Sequence, residues 1–179
     1  MGHSLKVFFT AILLASLFFS AAAQAQSQAQ RDAEYLQEFV VPFAKLQLER
    51  RGEFLPIGAA LTPTDKFVLM PVQASKTSLM PVDLIKLVQE DLAIDATDGT
   101  YKTTALVYDA TVPLPSSGKL SDAIAVALDH RDGYSVITFL PYELRGKEVH
   151  MGTPFTRPGT ASVFKQPAQA VLAKIIPAT

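Results

Sequence analysis

The chain has 179 residues, contains no cysteine, and carries 16 basic against 17 acidic side chains. Without cysteine it can form no disulfide, thiol-ligated zinc site or iron–sulfur cluster, and no lipid can be attached through a cysteine. The near-neutral charge gives no electrostatic footprint for nucleic acid or for an anionic membrane. We therefore expect no nucleic acid among its partners.

Residues 1–25 have the pattern of a secretory signal peptide. Lys6 provides the positive start, an apolar run follows from Val7 to Phe19, and Ala23 and Ala25 place small residues where signal peptidase requires them. The apolar run is shorter than the ~20 residues of a membrane-spanning helix, which disfavours the alternative of an uncleaved anchor. We expect an exported bacterial protein, periplasmic or extracellular. Cleavage removes 25 of the 179 residues and leaves 154, with 15 basic and 17 acidic side chains and no stable membrane anchor.

Residues 26–31 are polar and rich in glutamine, and the sequence predicts that they are disordered. A helix is predicted from Asp32, because large apolar side chains recur there at three- and four-residue spacing. These side chains are Leu36, Phe39, Val40 and Phe43. Gly52 is the predicted C-terminal cap. Pro42 either kinks this helix or divides it into two shorter ones.

Two short apolar runs follow, Phe54–Leu61 and Phe67–Val72, joined by a segment with Pro and Asp turn residues. They predict a β-hairpin. The small side chains of Gly58, Ala59 and Ala60 indicate that another element packs closely over the first strand.

A second helix is predicted after this hairpin, with Ser78 as its N-cap and Pro81 in its first turn. It is expected to end within residues 95–99. Its predicted buried stripe consists of Leu84, Ile85, Val88 and Leu92.

Three more strands are predicted at Thr103–Val112, Asp122–Asp129 and Tyr134–Tyr142. The last two form a predicted hairpin closed by residues 130–133, in which Gly133 suits a left-handed backbone. In the middle strand large and small side chains alternate, so that one face is expected to line the core and the other to lie under a helix or a partner. The large side chains are Ile124, Val126 and Leu128, and the small ones are Ala123, Ala125 and Ala127.

This order predicts an α+β domain at residues 32–145, with helices on a single antiparallel sheet of about five strands, in the order α-β-β-α-β-β-β. The order resembles profilin-like and roadblock-like folds. Residues 146–179 are predicted to be a loop-rich extension that packs on the domain, with a strand at Ala161–Phe164 and a helix at Pro167–Ile176 as its candidate elements.

Chemistry is suggested at one place, the turn that contains Asp129, His130 and Asp132. A histidine between carboxylates is the grouping used for general base catalysis or metal binding. Because a hairpin tip is ordinarily exposed and polar, a structural turn is the main interpretation. The chain has no serine-nucleophile elbow, phosphate-binding loop or calcium loop, and we therefore predict no cofactor and no metal site.

Four segments resemble those of a set of small bacterial proteins: Phe54–Leu61, Asp122–Ile124, His130–Gly133 and Phe139–Tyr142. The resemblance covers roughly residues 32–145 and implies no activity and no functional residues. The signal peptide distinguishes this chain from that set.

The leading hypothesis is a non-enzymatic module that binds a protein or a small ligand, with Phe139, Tyr142 and Arg131 as candidate contacts. A homodimer through a sheet edge or the long first helix is one form of this hypothesis. The alternative is a hydrolase-like enzyme with a dispersed site. That site would comprise Asp129, His130, Asp132 and Glu143.

Overall fold

The computed structural model describes residues 27–72 and 79–164. In chain order these form helix α1 (Gln28–Arg51), strands β1 (Ile57–Leu61) and β2 (Phe67–Pro71), helix α2 (Pro81–Ala96), and strands β3 (Thr103–Pro113), β4 (Leu120–His130), β5 (Ser135–Arg145), β6 (Glu148–Met151) and β7 (Phe155–Pro158). The strands form one antiparallel sheet in the order β2-β1-β3-β4-β5-β6, and β7 also pairs with β5. The described part is therefore α+β with a single sheet, as predicted, but has seven strands instead of about five.

Helix α1 begins at Gln28, inside the segment that the sequence predicts to be disordered. Ser27 is the N-cap, and its hydroxyl accepts a hydrogen bond from the main-chain N–H of Gln30 at 3.1 Å. Ala29 is buried. Capping and burial together stabilise this short polar segment as a helix, which corrects the prediction for residues 28–31.

The other end of α1 agrees with the sequence. Gly52 has a φ of +77°, and its N–H donates to the carbonyl oxygen of Leu48 at 2.8 Å, as expected of a left-handed C-terminal cap. The helix is continuous through Pro42, which lies on its exposed side, so two separate helices are not formed.

The two helices cover opposite faces of the sheet. On the α1 face, Leu36 and Val40 pack with Ile124 and Val126 in the largest core cluster. On the α2 face, Val88 packs with Leu92 and Leu106. The alternation predicted for β4 is therefore confirmed, with the large side chains under α1 and the alanines on the other face.

Both hairpins are present as predicted, β1 with β2 and β4 with β5. The second is closed by a bond from the N–H of His130 to the carbonyl of Tyr134 at 2.8 Å, and Gly133 has a φ of +89°. Close packing over β1 is also confirmed, because a Cβ added at Gly58 would lie 2.9 Å from Cγ1 of Val88.

The N-cap position of helix α2 lies two residues after the predicted one. Met80 is the N-cap position and makes no side-chain capping bond, Pro81 is in the first turn as predicted, and the helix ends at Ala96. Ser78, the predicted N-cap, lies outside the described residues. Ile85 is only partly buried beside the core cluster of α2.

The extension after Arg145 supplies strands to the sheet instead of loops alone. β6 and β7 both run back along β5, with Met151 opposite Tyr142 and Phe155 opposite Phe139. Residues 152–154 therefore face residues 140–141, and the extra residue forms a bulge in an otherwise continuous edge. Residues 161–164 form no strand. The predicted signal peptide and the predicted helix at 167–176 lie outside the described residues.

Candidate binding surface

The Asp129 carboxylate and the His130 imidazole of the predicted catalytic turn do not meet. Asp129 faces the α2 side, where its carboxylate accepts hydrogen bonds from the N–H groups of Ser162 and Val163 at 2.8 and 3.0 Å. The hydroxyls of Ser162 and Ser135 donate to the same carboxylate at 3.1 and 2.5 Å. Asp129 therefore anchors the chain that follows β7 to the end of β4.

His130 lies on the α1 side and is buried, with 3% of its surface exposed. This corrects the expectation of an exposed hairpin tip: β4 extends through His130, so its side chain enters the core. Its Nδ1 accepts a hydrogen bond from the N–H of Asp132 at 3.0 Å, which places the proton of the neutral ring on Nε2. Nε2 lies 3.4 Å from Oδ2 of Asp32 and makes no hydrogen bond in the structure.

The same corner holds a buried lysine. Lys102 Nζ lies 2.9 Å from Oδ2 of Asp32 and 2.6 Å from Oδ1 of Asp65, at the tip of the first hairpin. The side-chain amide of Gln28 donates to Oδ1 of Asp32 at 2.7 Å. These contacts join the start of α1 to the tip of the first hairpin and to the residue before β3.

Hydrogen bonds and charge pairing favour the charged forms of the buried Asp32 and Lys102 side chains. Burial by itself would raise the pKa of Asp32, but hydrogen bonds from Lys102 and Gln28 outweigh it and hold that pKa below its ordinary value. Burial would likewise lower the pKa of Lys102, and its bonds to Asp65 and Asp32 outweigh it and raise that pKa. We call Asp32, Lys102 and Asp65 the ion-pair clamp.

Of the remaining residues of the hydrolase-like hypothesis, Asp132 stays near His130 and Glu143 does not. Oδ2 of Asp132 lies 3.7 Å from Nδ1 of His130, on a side chain that is 68% exposed in the turn. Glu143 is near the opposite end of β5, where its Oε2 accepts a hydrogen bond from Arg145 at 2.7 Å. The sequence-predicted quartet is therefore split between two sheet faces and two ends of the domain.

Two of the three predicted contact residues have structural partners. Phe139 is buried and stacks on Phe155 with ring centroids 5.2 Å apart, and the Arg157 guanidinium lies 5.3 Å from the Phe139 centroid. Tyr142 is buried, and its hydroxyl donates to Asp109 at 3.0 Å. Burial and the Asp109 carboxylate raise the pKa of Tyr142. The third, Arg131, is exposed at the turn.

Tyr142 also lines an open groove of about 590 Å³ at the end of β5. The loop between β3 and β4 forms one wall, and β6 with its bulge forms the other. Pro115, Glu143, Arg145, His150 and Phe155 are among the lining residues.

A different surface, along β2, carries partly exposed aromatic side chains. Tyr35, Phe39 and Phe43 follow one another at four-residue spacing on α1. Phe39 stacks on Phe67 of β2 with ring centroids 4.0 Å apart, and Tyr35 lies 4.8 Å from Phe67. Tyr35 is 50% and Phe43 38% exposed, although Phe43 is predicted to be a core residue. We call Tyr35, Phe39, Phe43 and Phe67 the aromatic row.

The aromatic row lies beside an open sheet edge. Among the described residues β2 pairs only with β1. The N–H of Thr62 donates to the carbonyl of Lys66 at 3.0 Å, and hydrogen-bonded pairs alternate with non-bonded pairs along an antiparallel ladder. The N–H and C=O groups of Phe67 and Leu69 therefore point away from β1.

At the far end of β2 the helix and the strand enclose a second groove of about 480 Å³. Phe43 and Gln47 line it from α1, Leu69 and Val72 from the strand, and Leu55 from the segment before β1. We call this the α1–β2 groove. Phe43 belongs to both the aromatic row and the groove, whereas Tyr35 and Phe39 lie at the Phe67 end of the strand.

Within the described residues, the opposite sheet edge has protective features that β2 lacks. Its strands β6 and β7 are short, broken by the bulge at residues 152–154, and carry Arg157 and Pro158. Bulges, prolines and charges are the usual means by which edge strands avoid pairing. β2 has no charged residue and no bulge, and its only proline is the last residue, Pro71.

Sequence reasoning missed this surface. The spacing of Tyr35, Phe39 and Phe43 is visible in the chain, but it fits a buried helix stripe equally well. Only the position of β2 beside α1 shows that the row lies at the rim of the sheet.

Comparisons of the chain with protein-family models, curated proteins and solved structures find no match. Within residues 27–72 and 79–164, no helix is long and apolar enough to cross a membrane. In the same described ranges, no three histidine or carboxylate side chains are grouped to hold a metal ion.

Proposed function

We propose that this is an exported, non-enzymatic module that binds a protein by adding a strand to β2. The observation that carries the proposal is the charge-free edge of β2, which pairs only with β1 within residues 27–72 and 79–164 and lies beside the exposed aromatic row. A profilin-like or roadblock-like fold, which hosts dimerisation modules among other functions, remains a prediction for this arrangement.

Strand addition suits this edge for two reasons. Main-chain groups of Phe67 and Leu69 are available to a new strand, which supplies affinity in this mode of recognition. The aromatic row and the α1–β2 groove flank the edge on the α1 face, where large apolar side chains supply most of the binding energy at interfaces.

The hydrolase-like alternative has no comparable support, because Asp129 and His130 lie on opposite faces of the sheet. Nucleophilic or general base catalysis needs its groups within hydrogen-bond reach of one reacting atom.

Photo-crosslinking in exporting cells tests the binding surface. A benzoylphenylalanine replacing Tyr35 should give a discrete adduct, identified by mass spectrometry, that is lost when Leu69→Lys places a charge on the edge. The same probe at Ile94, which is 69% exposed on α2, is the matched control and should give none. Equal labelling at both positions would argue against a specific surface.

Export is tested separately by the intact mass of the protein recovered outside the cytoplasm. Cleavage after Ala25 predicts a chain that begins at Gln26. A mature protein that retains the apolar run Val7 to Phe19 would contradict export through a cleaved signal.

The groove of about 590 Å³ at the end of β5 supports a second candidate, binding of a small molecule. Its volume is typical of ligand sites, and it combines Tyr142 and Phe155 with the ionic side chains of Glu143 and Arg145. A fragment screen by ligand-observed NMR, with Arg145→Ala as the comparison, tests this. Hits that bind the variant equally well would count against the groove.

A further inference from the structure

We infer that the strand that adds to β2 is β2 of a second copy of this chain, so that the module is a two-fold symmetric dimer. The inference rests on the proposed binding surface and names its occupant. Isologous pairing requires one patch to be complementary to itself, and three features of the β2 edge meet this requirement.

The first feature is the hydrogen-bonding pattern of the edge. In an antiparallel pair with its two-fold axis at Leu69, each Leu69 exchanges N–H and C=O bonds with Leu69 of the second copy. The N–H of Phe67 then meets the carbonyl of Pro71 of the second copy. Pro71 has no N–H, so the carbonyl of Phe67 receives no bond from the second copy, and the ladder consists of the Leu69 bonds and the Phe67 N–H bonds.

The second feature is charge. No residue of β2 is charged, so the pairing brings no like charges opposite each other. Every cross-strand pair in this register joins two apolar residues, which is the condition for a stable pair on both faces of the extended sheet.

The third feature is shape. Tyr35 lies against Phe67 at the start of β2, and the α1–β2 groove lies beside Leu69 and Val72 at its end. Antiparallel pairing reverses the second strand, so that the projecting Tyr35 of each copy reaches the groove of the other. Gln47 and Glu53 line that groove and present oxygen acceptors to the Tyr35 hydroxyl.

Sedimentation equilibrium of the purified protein from about 1 to 100 µM tests the dimer. We expect a reversible dimer, whose dissociation constant rises about tenfold or more in Tyr35→Lys, which alters the projection, and in Leu55→Glu, which alters the groove. Ile94→Lys is the matched control at an exposed apolar side chain of α2 and should leave the constant unchanged. Unchanged far-ultraviolet circular dichroism spectra show that the variants are folded.

The two variants also test the geometry when they are mixed. A heterodimer of Tyr35→Lys with Leu55→Glu contains one unaltered contact and one Lys–Glu contact, whereas each variant alone contains two altered contacts. We expect the mixture to associate about tenfold more tightly than either variant alone. Failure of the mixture to recover association would overturn the antiparallel arrangement.

A protein that stays monomeric to about 100 µM would overturn the dimer. If Tyr35 then crosslinks to a different protein in cells, the proposed strand-adding function survives with another occupant. If the protein is monomeric and the Tyr35 probe gives no adduct, both proposals fail. A dimer that is insensitive to Tyr35→Lys and Leu55→Glu would overturn this interface.

Discussion

Asp129 and His130 are adjacent in the chain, yet their side chains lie on opposite faces of the sheet. Asp129 binds the N–H groups of residues 162 and 163, and His130 lies 3.4 Å from Asp32 at the start of α1. Because β4 continues through both residues, its pleat separates them. Each therefore fixes a different element to the end of the same strand.

The burial of His130 predicts a structural role. His130→Ala should lower the free energy of unfolding by about 2 kcal/mol, because it leaves a cavity and removes the acceptor of the Asp132 N–H. Arg131→Ala, at the exposed neighbour, should change it by less than about 0.5 kcal/mol. Urea unfolding measures both. Similar small losses for the two variants would place His130 on the surface.

The ion-pair clamp predicts a dependence of stability on acid. The folded-state pKa of Asp32 lies below its ordinary value, so the stability from its carboxylate is present above about pH 4 and is lost as the pH falls through the folded-state pKa. Asp32→Asn should therefore flatten the acid limb of stability measured by urea unfolding. An acid limb as steep as that of the wild type would show that Asp32 does not contribute.

Lys102 makes stability depend on pH at the alkaline end of the range. Its folded-state pKa is raised, so its stabilising contribution is present below its ordinary pKa of about 10.5 and is lost as the pH rises through the folded-state value. Lys102→Met should leave Asp32 buried without its main partner and cost about 3 kcal/mol at neutral pH. The double variant with Asp32→Asn should recover part of this loss. Additive losses in the double variant would contradict a direct pair.

Val126 tests the assignment of the core face. It is fully buried at the centre of β4, so Val126→Ala should cost about 2 kcal/mol through lost burial and a residual cavity. Val82→Ala, on the exposed start of α2, is the matched control and should cost less than about 0.5 kcal/mol. Equal effects at the two positions would be inconsistent with the described core.

Gly133 tests the second hairpin. At a φ of +89° an alanine is strained, so Gly133→Ala should destabilise the fold by about 1 kcal/mol. Gly133→Asn should cost less, since asparagine tolerates positive φ better than alanine does. A neutral or stabilising alanine would mean that the turn has negative φ in solution.

Local patterns predicted the elements well where one physical cause determined them. The alternation in β4, the cap at Gly52 and the turn at Gly133 each follow from a local rule and are present in the structure. The start of α1 was missed because the capping by Ser27 competes with a composition typical of disorder. β6 and β7 were missed because their pairing depends on β5, and prolines and glycines obscure their short patterns.

The site could be predicted less well than the fold. His130 was expected at an exposed tip because its strand is longer than the hydrophobic pattern indicates. Phe43 was expected in the core because a helix stripe does not reveal how far the sheet extends beneath it. The β2 edge depends on strand order, which the sequence does not encode locally.

Residue-resolved amide hydrogen exchange of β2 in the associated protein tests the central claim most directly. The N–H groups of Val68 and Met70 point to β1 and should be protected at every concentration, whereas those of Phe67 and Leu69 point outward. Binding of a strand predicts that Phe67 and Leu69 are protected on association and lose that protection on dilution. If both exchange freely in the associated protein while Val68 and Met70 remain protected, no strand is added to β2.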